Sequence, residues 1–202
     1  MELEFSKNKI IFEKELSFLD RLVFEFTGIL DKQKIDYVIV SGYIAILFGR
    51  SRNTEDIDLF IEEMPLKKFL GFWKELYAQG FECLNTSDPK EAFNDYLKEK
   101  LAVRFALKEN FEPNFELKFP KTDLNWYSLK NKLIAEINKK KINISKMELQ
   151  IPFKLYLGSD KDIEDAIHLW ELFKDRLNME LFNGFIKRLK VEEKTKLLEG
   201  KT

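Results

Sequence analysis

The stretch VIVSGYIAILFGRSRNTEDIDLFIE, residues 38–62, constrains the fold more than any other part of this chain. Ile35 to Val40 (IDYVIV) is β-branched, aromatic and nearly continuous in apolar character, which predicts a short buried strand. Ser41-Gly42 interrupts it, and YIAILFG follows as a short helix that Gly49 can end. DIDLFI, residues 56–61, then reads as a second strand entering a core. Strand, tight turn, helix and strand within 25 residues demand a layered α/β arrangement, because neither strand can be buried without a neighbour on each side.

The flanking sequence extends that arrangement. Leu16, Leu19, Leu22, Val23, Phe26, Ile29 and Leu30 recur at spacings of three and four, predicting a helix between Glu13 and Lys34. Pro65 at a first helical position opens another from Leu66 to Gln79, closed by Gly80. Phe81 to Leu84, Leu101 to Leu107 and Phe115 to Phe119 read as strands, and residues 85–100 as a loop or short helix. INKKKINI alternates and is compatible with a strand whose lysines face water. From Pro152 the pattern is helical: Ser159 caps one helix carrying Ile163, Ala166, Ile167, Trp170 and Phe173, another runs from Met179 to Leu189, and the tail is expected to fray. The fold class is therefore α/β, a mixed sheet with a C-terminal helical region. Residues 1–120 are expected to form the core domain and residues 121–202 a mainly helical part that closes the site.

Composition excludes several function classes. With 45% hydrophobic residues and 19 Phe, the 202-residue chain can bury a core and is not disordered. Its 34 basic and 35 acidic side chains leave a formal charge of −1, against a globally basic nucleic-acid coat. One Cys, Cys83, has no partner for a disulfide, and a single His excludes a Cys/His zinc cluster. The start MELEFSKNKI has no signal-peptide pattern, and no apolar run reaches membrane-spanning length. The expectation is a cytoplasmic protein with no membrane partner.

The chemistry is concentrated around residues 38–62. A small-residue turn lets the backbone approach a ligand, and the first N–H groups of the following helix attract phosphate. Asp56 and Asp58, two apart on a strand, project from one face. Carboxylates held so close repel unless a divalent cation neutralises them, and oxygen ligands of this kind suit Mg²⁺ shared with substrate phosphates. Arg50, Arg52 and Thr54 lie between the turn and the acidic pair. A D-x-D pair alone is as readily a solvated strand end; the ordered Gly, Arg, Thr, Asp, Asp series is what favours a nucleotide-and-metal site. His168, the single histidine, reads as a surface or satisfied helix residue. Lys139 to Lys141 with Lys146 forms a local basic patch, by default a solvated charge run.

The series S-G-Y-x-A-x-L-x-G-R-S-R-x-T-x-D-I-D-L, Ser41 to Leu59, resembles the first motif of the polymerase-β-like nucleotidyltransferases. It is similar in particular to the minimal prokaryotic and archaeal members and to the AbiEii-type toxins. Gly42 matches one glycine of the family's small-residue pair, Ser41 departs from it, and Arg52, Thr54, Asp56 and Asp58 match in register. A second stretch, PFKLYLGSDKDIEDAIHLW, resembles the lysine and basic-Asp-x-x-Asp motifs of AbiEii-like proteins through Lys154, Lys161, Asp162 and Asp165. The resemblance implies transfer of a nucleoside monophosphate from an NTP to an acceptor hydroxyl. It implies two Mg²⁺ ions on Asp56, Asp58 and a third carboxylate, for which Glu116 in FELKF is the candidate. It also implies nucleotide contacts from Ser41, Gly42, Arg52, Thr54, Lys154, Lys161 and Asp162. The acceptor would be an RNA end such as a tRNA stem, a protein or a small molecule, and a toxin of this type would have a cognate antitoxin. The competing readings are an ordinary strand residue for Glu116, helix capping for Asp162, solvation for Asp165, and a non-catalytic nucleotide-binding or interaction module for the whole chain.

Overall fold

In a computed structural model, which describes residues 2–200, nine strands form one mixed sheet. In chain order they are β1 (Glu4–Ser6), β2 (Lys9–Phe12), β3 (Tyr37–Val40), β4 (Asp56–Ile61), β5 (Phe81–Cys83), β6 (Val103–Leu107), β7 (Asn114–Lys118), β8 (Leu133–Ile137) and β9 (Lys140–Ile144). Across the sheet the order is β1-β2-β8-β9-β3-β4-β7-β6-β5, with β2–β8, β9–β3 and β4–β7 parallel and the remaining pairs antiparallel. The helices are α1 (Phe18–Lys32), α2 (Gly42–Leu47), α3 (Leu66–Ala78), α4 (Pro89–Glu91, continued by a π-helical turn over Ala92–Leu97), α5 (Asp123–Lys130), α6 (Met147–Leu157), α7 (Asp160–Phe173) and α8 (Met179–Leu189). None is long and apolar enough to cross a membrane.

Alternation within the central strands assigns each residue to a face. On β4, Ile57, Leu59 and Ile61 are buried in the core, while Asp56, Asp58 and Phe60 point to the other side and are half-buried. On β7, Phe115 and Leu117 share the core face, and Asn114, Glu116 and Lys118 share the face of the aspartates. The core face is packed by aromatic rings around Phe26 of α1. That ring stacks on Phe115 at 3.9 Å and meets Phe81 edge-on at 5.2 Å and Phe72 of α3 edge-on at 6.2 Å. Offset and edge-to-face contacts of this kind add to the gain from area burial.

Several expectations need correction. The N-terminal hairpin β1–β2 has no counterpart in the sequence reading. The division at residue 120 does not coincide with a break in the sheet, because β8 and β9 lie between β2 and β3 as central strands. The all-helical part begins at Met147, and Pro152 lies inside α6 instead of opening it. Pro65 caps α3 from outside the helix. The tail forms a 3₁₀ helix over Glu192–Glu199, with Leu198 buried and the Lys194 ammonium donating to the Leu155 carbonyl at 2.8 Å.

Replacing Phe26 by Ala removes the ring on which α1, α3, β5 and β7 converge. The expected cost is about 3–5 kcal/mol of unfolding free energy, read from urea denaturation followed by circular dichroism.

Candidate functional site

Backbone register sets the site. Val40, Asp58, Glu116 and Arg104 are successive partners across β3, β4, β7 and β6, forming one lateral row on the face opposite the aromatic core. Asp56 and Lys118 stand one step to either side of this row, on β4 and β7. Neighbouring strands are about 4.8 Å apart, so side chains in such a row touch. Asp58 therefore adjoins both Glu116 and the end of β3, where the chain turns at Ser41.

That turn is strained. Ser41 has φ 65° and ψ −137°, a conformation that favours glycine. Gln150 of α6, 2% exposed, holds it from both sides: the Ser41 N–H donates to its Oε1 at 3.3 Å, and its Nε2 donates to the Ser41 carbonyl at 3.0 Å. The next residue, Gly42, lies directly against the Arg52 guanidinium, which a Cβ at this position would displace. Helix α2 then starts at this turn with no side-chain cap from Ser41 on its first N–H groups. It is tied to α1 by the Tyr43 hydroxyl, which donates to the buried Asp20 carboxylate at 2.9 Å.

Around the acidic row, charge is arranged unevenly. Burial, with the neighbouring charges of Asp58 and Glu116, raises the Asp56 carboxyl above the usual carboxylate range, although Lys118 works the other way. Burial would also raise Glu116, but hydrogen bonds and charge from Lys118 and Arg104 outweigh it and hold Glu116 low. Its Oε1 accepts from Arg104 Nε at 2.6 Å and Nη2 at 2.5 Å, and its Oε2 lies 2.7 Å from Lys118 Nζ. The same ammonium donates to Asp58 Oδ1 at 3.1 Å. Burial would lower the Lys118 ammonium, yet Asp58 and Glu116 together raise it.

The donor chemistry of Asp56 and Asp58 fits a divalent cation: two hard oxygen ligands on one face, one of them destabilised by the other's charge. Glu116 is positioned differently from a free third ligand, because cations occupy both its oxygens. Among the described residues no three His, Cys, Asp or Glu side chains are grouped to hold a metal ion. A cavity of about 280 Å³ opens beside Asp58 and Lys118, bounded by Ser41, Phe60, Gln150 and Phe153.

The second motif lies across the Ser41 turn. Asp165, fully buried on α7, is surrounded by Arg50, Arg52 and Lys154. Arg52 Nη1 lies 2.9 Å from its Oδ2, Lys154 Nζ lies 2.9 Å from the same oxygen, and Arg50 pairs with Oδ1. Lys154 Nζ also donates to Asp162 Oδ1 at 2.6 Å. Burial pushes the Asp162 carboxyl up, and Lys154, Ser159 and Arg52 bring it below its ordinary value. Lys154 is 1% exposed and enclosed by these two aspartates. Lys161 is exposed, its carbonyl accepting from Arg50 at 2.8 Å. Thr54 donates its hydroxyl to the Asp56 carbonyl at 2.9 Å, bracing the start of β4. His168 bonds through Nε2 to the Phe48 carbonyl at 3.0 Å.

Sequence reasoning brought Asp56, Asp58, Glu116, Ser41 and Gly42 to one end of the sheet, and they are neighbours there. It missed Lys118 and Gln150, and solvation, its competing reading for Asp165, does not fit a fully buried carboxylate. Lys118 was findable: two residues from Glu116 on a strand, it must share that residue's face.

A mixed nine-stranded sheet with a strand-turn-helix and paired aspartates on its neighbouring strand defines an α/β class for which solved examples exist. No protein-family model matches the sequence, and no curated protein matches it. Among solved structures, the chain is similar to an antigenic nucleotidyltransferase-like protein from Paracoccidioides brasiliensis. The TM-score is 0.53 at 20% identity, covering 89% of this chain and 91% of that one. It is similar to ANT(2")-Ia in complex with adenylyl-2"-tobramycin, with TM-score 0.53 and 15% identity over 85% of this chain and 99% of that one. A solution structure of the antibiotic-resistance factor ANT(2")-Ia matches at TM-score 0.53 and 14% identity, over 89% and 94%. The chain has the nucleotidyltransferase fold.

Three substitutions test the local energetics. Asp165→Asn leaves three cations without their central carboxylate and is expected to cost about 3–5 kcal/mol. Glu164→Gln, at the exposed end of the same network, should stay within about 0.5 kcal/mol. The Asp165 and Glu164 variants are read from urea midpoints. Ser41→Gly relieves the positive φ and should raise stability by about 1 kcal/mol, seen as a higher melting temperature.

Proposed function

We propose that this chain is a Mg²⁺-dependent nucleotidyltransferase, moving a nucleoside monophosphate from an NTP to an acceptor hydroxyl. The observation that carries this reading is the register row that sets Asp58 between Glu116 and the end of β3, directly beside the Ser41-Gly42 turn and the 280 Å³ cavity. Phosphate groups at the start of α2 and carboxylates one strand away are what such a transfer requires.

The chain's own groups divide the work. Backbone N–H groups at the start of α2 bind the terminal phosphates, with the Ser41 hydroxyl beside them. Gly42 keeps the backbone close enough for this, and Arg52 behind it contributes positive charge to the same turn. Asp56 and Asp58 would hold Mg²⁺, which when bound neutralises the carboxylates and polarises the nucleotide's phosphates. The cavity's apolar rings, Phe60 and Phe153, exclude water from the nucleotide and offer faces for its base. Lys154, Asp162 and Asp165 act from behind, fixing Arg50 and Arg52 and joining α6 and α7 to the turn. Lys161, exposed at the start of α7, is free to meet phosphate from solvent.

The similarity to AbiEii-type proteins supports an RNA end, such as a tRNA acceptor stem, as the acceptor, with the chain acting as a cytoplasmic toxin held by a cognate antitoxin. The ANT(2")-Ia complex contains an adenylylated aminoglycoside, and that likeness supports a small-molecule hydroxyl instead. A protein hydroxyl is the third acceptor class.

Each α-labelled NTP, with Mg²⁺, is to be incubated with total RNA, cell protein and an aminoglycoside panel, wild type beside Asp58→Ala. The expected outcome is label transferred by wild type and reduced at least a hundredfold by Asp58→Ala, with the labelled fraction naming the acceptor. Saturable Mg²⁺-dependent NTP binding without transfer would replace the enzyme by a nucleotide-binding module. The absence of both transfer and binding would refute the reading.

A further inference from the structure

Asp56, Asp58 and Glu116 share their face of the sheet with two cations. Lys118 Nζ stands between Asp58 Oδ1 at 3.1 Å and Glu116 Oε2 at 2.7 Å, and Arg104 takes the other Glu116 oxygen. This is dictated by the strands, since Lys118 follows Glu116 by two residues and faces the same way, one register step from Asp58. Lys118 is half-buried, has Phe60 as its register partner on the same face, and forms part of the cavity wall. Three carboxylates against two cations leave one net negative charge. One divalent ion reverses that charge, and a second would have to displace Lys118 from Glu116 and enter an environment already positive.

We propose that Lys118 is a resident cation of the carboxylate site: it occupies the gap between Asp58 and Glu116, limits the chain to one divalent ion at Asp56 and Asp58, and presents its ammonium to a bound nucleotide's phosphate on the cavity side. This rests on the nucleotidyltransferase reading for the identity of the site. Glu116 then serves to hold Lys118 in place, with Arg104 balancing its remaining charge, and is not a metal ligand while Lys118 is present. Removal of Lys118 frees an oxygen on each of two neighbouring carboxylates and recreates a second metal position.

The test counts Mn²⁺ bound per chain from the free-ion signal in electron paramagnetic resonance, on wild type, Lys118→Met, Lys118→Gln, Lys118→Arg and Asp58→Asn. Circular dichroism confirms folding, and the Gln variant stands in if the Met variant does not fold. One site is expected in wild type and in Lys118→Arg, two in Lys118→Met and Lys118→Gln, and none in Asp58→Asn. Two sites in wild type, or one in wild type and in both charge-removing variants alike, overturn the role of Lys118 and leave the nucleotidyltransferase reading standing. No Mn²⁺ bound by any variant overturns this proposal, and the label-transfer assay then decides whether the nucleotide reading falls with it.

Discussion

The buried carboxylate of Asp165 is the interaction on which the arrangement of the site depends. It draws Arg50 and Arg52 from the connection between α2 and β4, and Lys154 from α6, to one point on α7. A carboxylate without solvent would be costly alone, and three cations without it would be more so. Each is tolerable only because the others are present. The result is specificity of placement more than net stability. Arg52 is held against Gly42, α6 is held where Gln150 reaches Ser41, and the turn facing the acidic row is fixed from two elements distant in sequence.

The second constraint is register. Because side chains alternate along a strand, the pairing of Asp58 with both Val40 and Glu116 decides which groups can share a face. A slip of β7 by one residue would set Phe115 or Leu117 beside the aspartates and send Glu116 into the ring cluster around Phe26. The aromatic core thus protects the chemistry on the opposite face: Phe115 stacked on Phe26 makes only one register affordable.

Much of the centre of the molecule was legible from local pattern. Residues 38–62 carry strong strand, turn and helix signals in sequence order, and alternation places both aspartates on one face. Glu116 could be chosen because its strand is short and apolar around it. The rest depends on pairing between segments far apart. β1 and β2 are found only through their pairing, and β8 shows no clear alternation, whereas INKKKINI, readable as a strand with its lysines in water, contains β9. Pro152 argues for a helix start, yet α6 tolerates it within its body. Asp165 sits on a helix that looks polar on that side, and only the arrival of Arg50 and Arg52 from a loop over a hundred residues away shows that side to be interior. Gln150 carries no motif at all; its significance comes from the carbonyl and N–H of Ser41.

The place of β8 in the sheet has a consequence for synthesis on the ribosome. Lys9 pairs with Ile134 and Phe12 with Ile137, so the N-terminal hairpin has its partner strand some 125 residues later in the chain. At translation rates of about 5–20 residues per second, the hairpin waits on the order of 6–25 seconds for that strand to emerge. Meanwhile Ile10 and Phe12, later buried, are open to water and to other nascent chains. β9 likewise completes the side of β3 only after β4 and β7 have been made. Assembly would therefore proceed outward from the β3–β4–β7 centre. The acidic row would be in place before the sheet's other half is built, and β1 and β2 would be among the last strands to dock.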